Sequence, residues 1–365
     1  MDRPLRILHV GTERTWRGGE NQAFALATGL SKLGQTCLVA SPPDSPLAHR
    51  AREADLEVLE LNARGEADLG AISFLRETCK ERDIDILHGH TAHAHSLVAL
   101  AGRGGVAARV VSRRVDFAPR KGFLGLGRLK YRMGVDRYVA ISKAIKDVLV
   151  GSGVDPDRVS VVPSGVDPDR CSGANGKSLR KDLGLGPGPI VGSIAALAWH
   201  KGLEHLVEAT AKMIESRPDI QVVILGEGEE RGALEAAISR LGLKDNVHLP
   251  GFLDRVPEFL NLVDVYTAPS VMEGLNTSLA DALAAKCPAV ASSVGGIPEL
   301  VIHEQTGLLV PPADPTALAN AIVQLLDDPS QAKVLGKAGR DHVRVGFSVD
   351  AMVGGNLDVY RSLIA

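Results

Sequence analysis

Ala268-Pro-Ser-Val-Met-Glu-Gly-Leu-Asn-Thr-Ser-Leu-Ala-Asp281 reads as the end of a strand, an irregular turn and the opening of a helix. The strand closes near Ala268, Glu273 and Gly274 occupy the turn, and Asn276-Thr-Ser-Leu-Ala-Asp-Ala-Leu begins the helix. The first amides of a helix have no partner inside it and can face an anion, so this junction reads as a phosphate seat. Asp281 follows Glu273 by eight residues, ~80° around the barrel and ~12 Å along the axis if all were helical. Two carboxylates so placed need share neither a proton nor a metal. They suit two parts of one elongated ligand whose hydroxyls donate to them. The same acids would also serve a helix N-terminus through its dipole.

Outward from this junction, short apolar runs recur between stretches of helical period. Pro189-Ile-Val-Gly-Ser-Ile194, Ile220 to Leu225, Asn246 to Leu249, Asp264 to Ala268 and Pro288 to Ser292 read as strands, with helices such as Glu204 to Glu215 between them. Arg6 to Val10, Gln35 to Ala40 and Asp83 to His88 repeat the rhythm earlier in the chain. Alternation of this kind is the signature of parallel sheets wrapped by helices. A length of 365 residues, with 45% apolar and 23% charged, accommodates two such domains. Cys171 to Pro189, rich in Gly, Ser and Pro, reads as the connection between them.

Composition excludes several classes. No apolar run approaches the ~18 to 20 residues of a membrane span, and no signal-peptide core precedes Leu5 to Val10, which gives a cytoplasmic reading. The four cysteines, at 37, 79, 171 and 287, form no CxxC pair, so neither a zinc ribbon nor a redox dithiol is expected. Formal net charge is −3, yet residues 103–146 carry twelve Lys or Arg against two acids. With Phe117, Phe123, Leu124, Leu126, Leu129 and Tyr131 interleaved, that segment reads as a solvated face, or as one that meets an anionic membrane or acceptor. No nucleic-acid motif accompanies it.

Two weaker motifs resolve locally. Gly226-Glu-Gly-Glu-Glu-Arg-Gly232 has one residue too many for a dinucleotide fingerprint and acids that would repel a pyrophosphate, so it reads as a tight strand-to-helix turn. Gly-Val-Asp-Pro-Asp-Arg occurs at 153–158 and 165–170, where Asp as cap and Pro at the first helical position suit a helix start rather than a metal site.

Glu273 to Asp281 resembles the E-x7-E motif of family 4 retaining glycosyltransferases, with Asp281 for the second Glu. Val191 to Gly202 is similar to the family's donor-phosphate loop, and Val222 to Gly228 to its next strand and turn. Leu249-Pro-Gly-Phe252, Pro288 to Glu299 and Thr306 to Pro312 continue the likeness in the family's order. In the first half, Gly11 to Glu20, His88-Gly-His90, Val139 to Ser142 and Val162 to Asp167 resemble it more loosely.

The resemblance implies a GT-B fold of class α/β, two doubly wound Rossmann-like domains facing across a cleft. Residues 1–170 would bind the acceptor, with 346–365 packing back on them, and 171–345 would bind a nucleotide-diphosphate sugar. It implies His90, Lys201 and Glu273 as catalytic residues. Donor contacts would come from Gly18, Gly19, Lys201, Phe252, Leu253, Glu273, Gly274, Leu275, Asn276, Thr277, Ser278 and Asp281. His93 and His95 compete with His90 for the sugar. Two departures stand out: Asp281 is a methylene shorter than Glu, and Ala196 replaces an Arg, leaving His200 or Arg14 as substitutes beside Lys201.

The implied reaction is retaining transfer from a UDP- or GDP-sugar to a hydroxyl of a carbohydrate, lipid-linked or cell-envelope glycan acceptor. No metal cofactor and no nucleic-acid partner are expected. Peripheral contact with an anionic membrane through 103–146 is part of the same reading. Alternatives are a non-catalytic nucleotide-sugar platform, or another GT-B enzyme such as a nucleotide-sugar epimerase or a phosphorylase.

Overall fold

A computed structural model describes residues 3–102, 104–114, 131 and 134–364. The chain divides into two compact units, Met1–Gly165 with Val349–Ala365, and Val166–Ser348.

The first unit is built on seven strands: β1 (Arg6–Val10), β2 (Thr36–Ser41), β3 (Glu57–Glu60), β4 (Ile86–Gly89), β5 (Ala108–Arg113), β6 (Arg137–Ala140) and β7 (Val159–Val161). Every neighbouring pair is parallel and the order is β3-β2-β1-β4-β5-β6-β7. Helices cover both faces of such a sheet, so the central strands are apolar almost throughout: Ile7, Leu8, Val10, Ile86 and Leu87 are fully buried. The first helix, Gly18–Lys32, starts where Glu20 accepts the Arg17 amide at 3.0 Å, and buries Leu26, Ala27 and Leu30. The closing helix, Val349–Ile364, adds Met352, Val353, Leu357 and Tyr360 to the same core.

The second unit has six strands: β8 (Ile190–Ile194), β9 (Gln221–Leu225), β10 (Val247–Gly251), β11 (Val265–Ala268), β12 (Ala289–Ser292) and β13 (Leu308–Val310). They are again parallel, in the order β10-β9-β8-β11-β12-β13. Val191, Val222, Ile224, Val265 and Val290 meet Leu206 and Val207 of helix Leu203–Met213, and Leu318 and Ile322 of helix Pro315–Asp327. In each sheet the strand order reverses once, between β1 and β4 and between β8 and β11. Loops leaving the carboxyl ends of those two strands turn to opposite faces, which opens a crevice where ligands bind in folds of this type.

The structure differs from the sequence reading in three places. Asp83 and Asp85 precede β4 instead of opening it: Asp83 has φ 48°, and the Asp85 carboxylate accepts the Arg6 amide at 2.8 Å and the Arg3 guanidinium. The change of unit falls at Gly165/Val166, whereas the stretch 171–189 lies inside the second unit. It is poor in apolar residues but pinned by polar contacts, Asn261 Nδ2 to the Cys171 carbonyl at 3.0 Å and Arg255 Nη1 to the Asp182 carboxylate at 2.6 Å, and by helix Lys177–Asp182 with Leu179 buried. Of the two Gly-Val-Asp-Pro-Asp-Arg copies, Asp155 caps a single 3-10 turn and Asp167 closes a turn with no helix after it.

Gly226 and Gly228 do form a tight turn. A side chain on either would strike the carbonyl of Ala195 or of Leu197 in the neighbouring loop. All four cysteines are buried and unbridged. Most of the basic segment, including Phe117, Phe123, Leu124, Leu126 and Leu129, lies outside the described residues; Tyr131 is buried and accepts a hydrogen bond from Arg113 at 2.8 Å. Among the described residues no helix is long and apolar enough to cross a membrane.

Gly29 gives a test of the packing between the first and closing helices. Replacing glycine by alanine in a helix ordinarily stabilises by ~1 kcal/mol. Here the new methyl would overlap Val353 Cγ2. Gly29→Ala should therefore lower stability by about 1–3 kcal/mol, the cost of overpacking, as read by urea unfolding; a stabilised variant would contradict this packing.

Candidate active site

In the second unit the crevice at the strand-order reversal is lined by the loops after β8 and β11. The first carries Trp199, His200 and Lys201 in a 3-10 turn that ends on Gly202 at φ 60°. Only glycine fits there, because a Cβ would strike the Pro269 carbonyl of the second loop. The His200 carbonyl then accepts the amides of Val271 (3.0 Å) and Met272 (3.2 Å), which ties the two loops together. A third loop, after β12, passes beneath: Gly295 lies against the Glu273 carbonyl, which accepts the Gly296 amide at 3.3 Å.

This interlocking holds Lys201 Nζ 2.5 Å from Glu273 Oε2, with side chains only 18% and 11% exposed. The same carboxylate accepts Asn276 Nδ2 (3.2 Å), Ser270 Oγ (3.4 Å) and the Gly274 amide (3.2 Å). Asn276, left-handed at φ 75°, caps helix Thr277–Ala284 by accepting the Leu279 amide at 2.9 Å. Glu273 is thus oriented by four donors, and any ligand competing for it must offer hydroxyls or a cation in exchange.

The remaining residues expected to meet the donor differ in exposure. Gly274 and Leu275 are buried, the latter through its side chain, while Asn276, Thr277 and Ser278 are partly exposed at the helix start. Phe252 is 76% exposed and Leu253 partly so, after β10. Ala196 is exposed, so this position adds no cation to the loop.

Asp281 pairs with a different cation. Its carboxylate lies 3.6 Å from Arg170 Nη1 with Asp167 nearby, and burial lifts its pKa from 3.8 to about 6, Arg170 opposing the shift. Arg170 was not anticipated from the sequence, where its Asp-Pro-Asp-Arg context signalled only a turn.

In the first unit, His88 and His90 leave the carboxyl end of β4 beside His9 of β1. All three are buried, at 0%, 6% and 2% exposure. His88 is engaged at both nitrogens, with the Tyr360 hydroxyl at Nδ1 (2.5 Å) and Ser112 Oγ at Nε2 (2.9 Å). His90 Nε2 lies 3.0 Å from His9 Nδ1. The three rings offer nitrogens within 4.8 Å of one another, a spacing a metal ion could bridge, although for His88 this would cost an existing hydrogen bond. His95 points into the unit, against Tyr138 (3.1 Å) and the Tyr131 ring, and His93 is exposed on the first turn of helix Ala92–Ala101.

Gly18 is exposed and Gly19 partly so at the start of the first helix; the Arg114 side chain passes 3.8 Å from where a Cβ on Gly19 would stand. Arg114 is a second residue the sequence did not single out: burial lowers its pKa to about 10, against the attraction of Glu20. Arg14 Nη2 donates to Asn62 at 3.2 Å.

Comparison with known proteins follows this division. Residues 16–170 match the family model described as Glycosyltransferase Family 4, and 177–342 that described as Glycosyl transferases group 1. A 2-deoxystreptamine glucosyltransferase of Streptomyces kanamyceticus is 34% identical over 59% of this chain and 54% of its own length. The chain thus spans about half of that relative. An N-acetyl-alpha-D-glucosaminyl L-malate synthase of Bacillus anthracis is 25% identical over 81% of this chain and 80% of that protein. The fold is that of the Anabaena protein HepE, solved in complex with UDP (TM-score 0.87, 20% identity, covering 98% of this chain and 100% of that one), and of a Rickettsia africae glycosyltransferase (TM-score 0.83, 22% identity, 99% of both).

Asp281 supplies a pH test. The unfolded chain releases this proton near 3.8 and the folded one near 6. Between those values the native state binds the proton more tightly, so stability falls as pH rises through the window, and the deficit is fully present at pH 7. Asp281→Asn should raise unfolding stability by about 1–3 kcal/mol at pH 7.5, the gain vanishing toward pH 4. Urea titrations at the two pH values measure it; an equal effect at both would refute the assignment.

Proposed function

The chain belongs to the family 4, group 1 glycosyltransferases, and on that premise we propose that it moves a sugar from a UDP- or GDP-sugar to a hydroxyl acceptor with retention of configuration. The observation that carries this reading is the Lys201–Glu273 pair, fixed at the strand-order reversal of the second unit. It joins a cation suited to a diphosphate with a carboxylate suited to sugar hydroxyls.

Breaking the sugar–phosphate bond builds negative charge on the departing diphosphate. Lys201 and the amides at Asn276 to Ser278 offset that charge with fixed dipoles and one ammonium, which is the work a divalent metal would otherwise do. As the donor enters, its phosphate draws the ammonium away from Glu273, and the freed carboxylate oxygen accepts sugar hydroxyls and faces the oxocarbenium-like centre. A phosphate oxygen of the donor takes the acceptor's proton on the same face. His90 contacts the transferred sugar, and Asp281 holds the ribose, exchanging Arg170 for its hydroxyls. Phe252 and Leu253 lie against the base. The acceptor is a carbohydrate or lipid-linked hydroxyl, for which the support is the basic composition of 103–146.

Melting curves with UDP-, GDP- and ADP-sugars identify the donor, since a ligand bound only by the folded state raises the transition. With that donor, Lys201→Ala should lower kcat by about 10²–10³, at least as much as it weakens donor binding. Unchanged turnover would refute the role of Lys201. Tight donor binding by the unaltered protein with neither transfer nor hydrolysis, read by calorimetry and nucleotide release, would replace the enzyme by a binding platform.

A further inference from the structure

We propose that His9 is a positioning residue for His90, fixing which nitrogen of that ring carries the proton; the inference rests on the reading of His90 as the sugar contact. His9 and His88 are direct partners across β1 and β4, so both side chains leave the same face of the sheet, and His90 follows two residues on. The three rings stack closely, His88 and His90 with centroids 4.1 Å apart and His9 and His90 5.2 Å apart. His88 is immobilised at both nitrogens by Tyr360 and Ser112. It forms a wall against which His90 lies.

His90 Nε2 meets His9 Nδ1 at 3.0 Å, while the far nitrogens, His90 Nδ1 and His9 Nε2, are buried and have no hydrogen-bond partner among the described residues. Burial holds all three rings neutral, His9 with a pKa of about 3 and the other two well below 6.5; Arg114 opposes protonation of His88 and His90 further. Two neutral imidazoles joined in this way share one N–H between them. One outer nitrogen then carries a hydrogen and the other a lone pair, and the choice made at His9 dictates the state of His90 Nδ1. A buried polar atom without a partner is a cost that a ligand hydroxyl, both donor and acceptor, would relieve. Removing His9 leaves His90 Nε2 unpartnered as well, and the ring is free to exchange tautomers.

The test uses the full chain labelled with ¹⁵N-histidine. Two-bond ¹H–¹⁵N spectra at pH 7.5 without substrate should show His90 as one neutral tautomer, and His9→Phe should convert it to a mixture or to the other form. Turnover of His9→Phe should fall at least tenfold with donor KM within twofold, and His9→Gln, which restores a hydrogen-bonding end, should recover most of the loss. An unchanged His90 tautomer in His9→Phe, or full turnover despite a changed one, would overturn the proposal. Where His9→Phe does not fold, His9→Gln is judged by the same spectrum: a His90 tautomer and a turnover that are both retained or both altered support the proposal, and a change in one without the other overturns it. His90→Ala with full activity would remove the sugar contact itself, an outcome distinct from the tautomer result.

Discussion

The second unit depends on one contact across the point where its strand order reverses. Lys201 and Glu273 come from loops 72 residues apart that leave adjacent strands, β8 and β11. Their pairing at 2.5 Å requires Gly202 and Gly295, because any side chain at those positions would push the loops apart. In a parallel sheet nothing else forces the two loops to meet: strand pairing ends at Ala268, and beyond it the chain is held by the His200 carbonyl and by the donors around Glu273. The ion pair is largely buried and gains from low dielectric what it loses in hydration only because the remaining lone pairs of the carboxylate are also bonded. A site built this way is stiff before any ligand arrives.

The first unit solves the same geometric problem with imidazoles. His9, His88 and His90 stand at the corresponding reversal between β1 and β4, and the closing helix supplies Tyr360 to hold the His88 ring. That helix is therefore more than a cover for Leu26 and Leu30. It sets a hydrogen bond at the floor of the histidine stack, 272 residues away along the chain. Tyr360 is fully buried, so its hydroxyl needs this partner as much as the histidine does.

Much of this was legible from residue patterns because it rests on local chemistry. Buried parallel strands must be runs of Val, Ile and Leu, and β1 and β8 stand where such runs fall. The turn at Glu273 announces itself by Gly, Asn and Thr before an apolar helix. What was not legible depends on partners distant in sequence. His9 looks like an ordinary residue in an apolar strand until β4 places two more histidines on its face. Arg170 follows a cap motif and gives no sign that Asp281 lies 3.6 Å away. The stretch 171–189 has the composition of a linker, and it is Asn261 on the Cys171 carbonyl, Arg255 on Asp182 and Ser178, and the buried Leu179 that hold it in the second unit.

The replacement of a longer acid by Asp281 acquires meaning in this light. A carboxylate one methylene shorter sits closer to the helix backbone, where solvent is scarcer, and Arg170 at 3.6 Å offsets that desolvation only in part. Arg170 is itself 45% exposed, and its charge is shared with water. The pairing is accordingly weaker than that of Lys201 with Glu273, which is shorter and less exposed on both sides. Glu273 is fully engaged by its donors, while Asp281 is held at a cost by a partner that is itself nearly half in solvent.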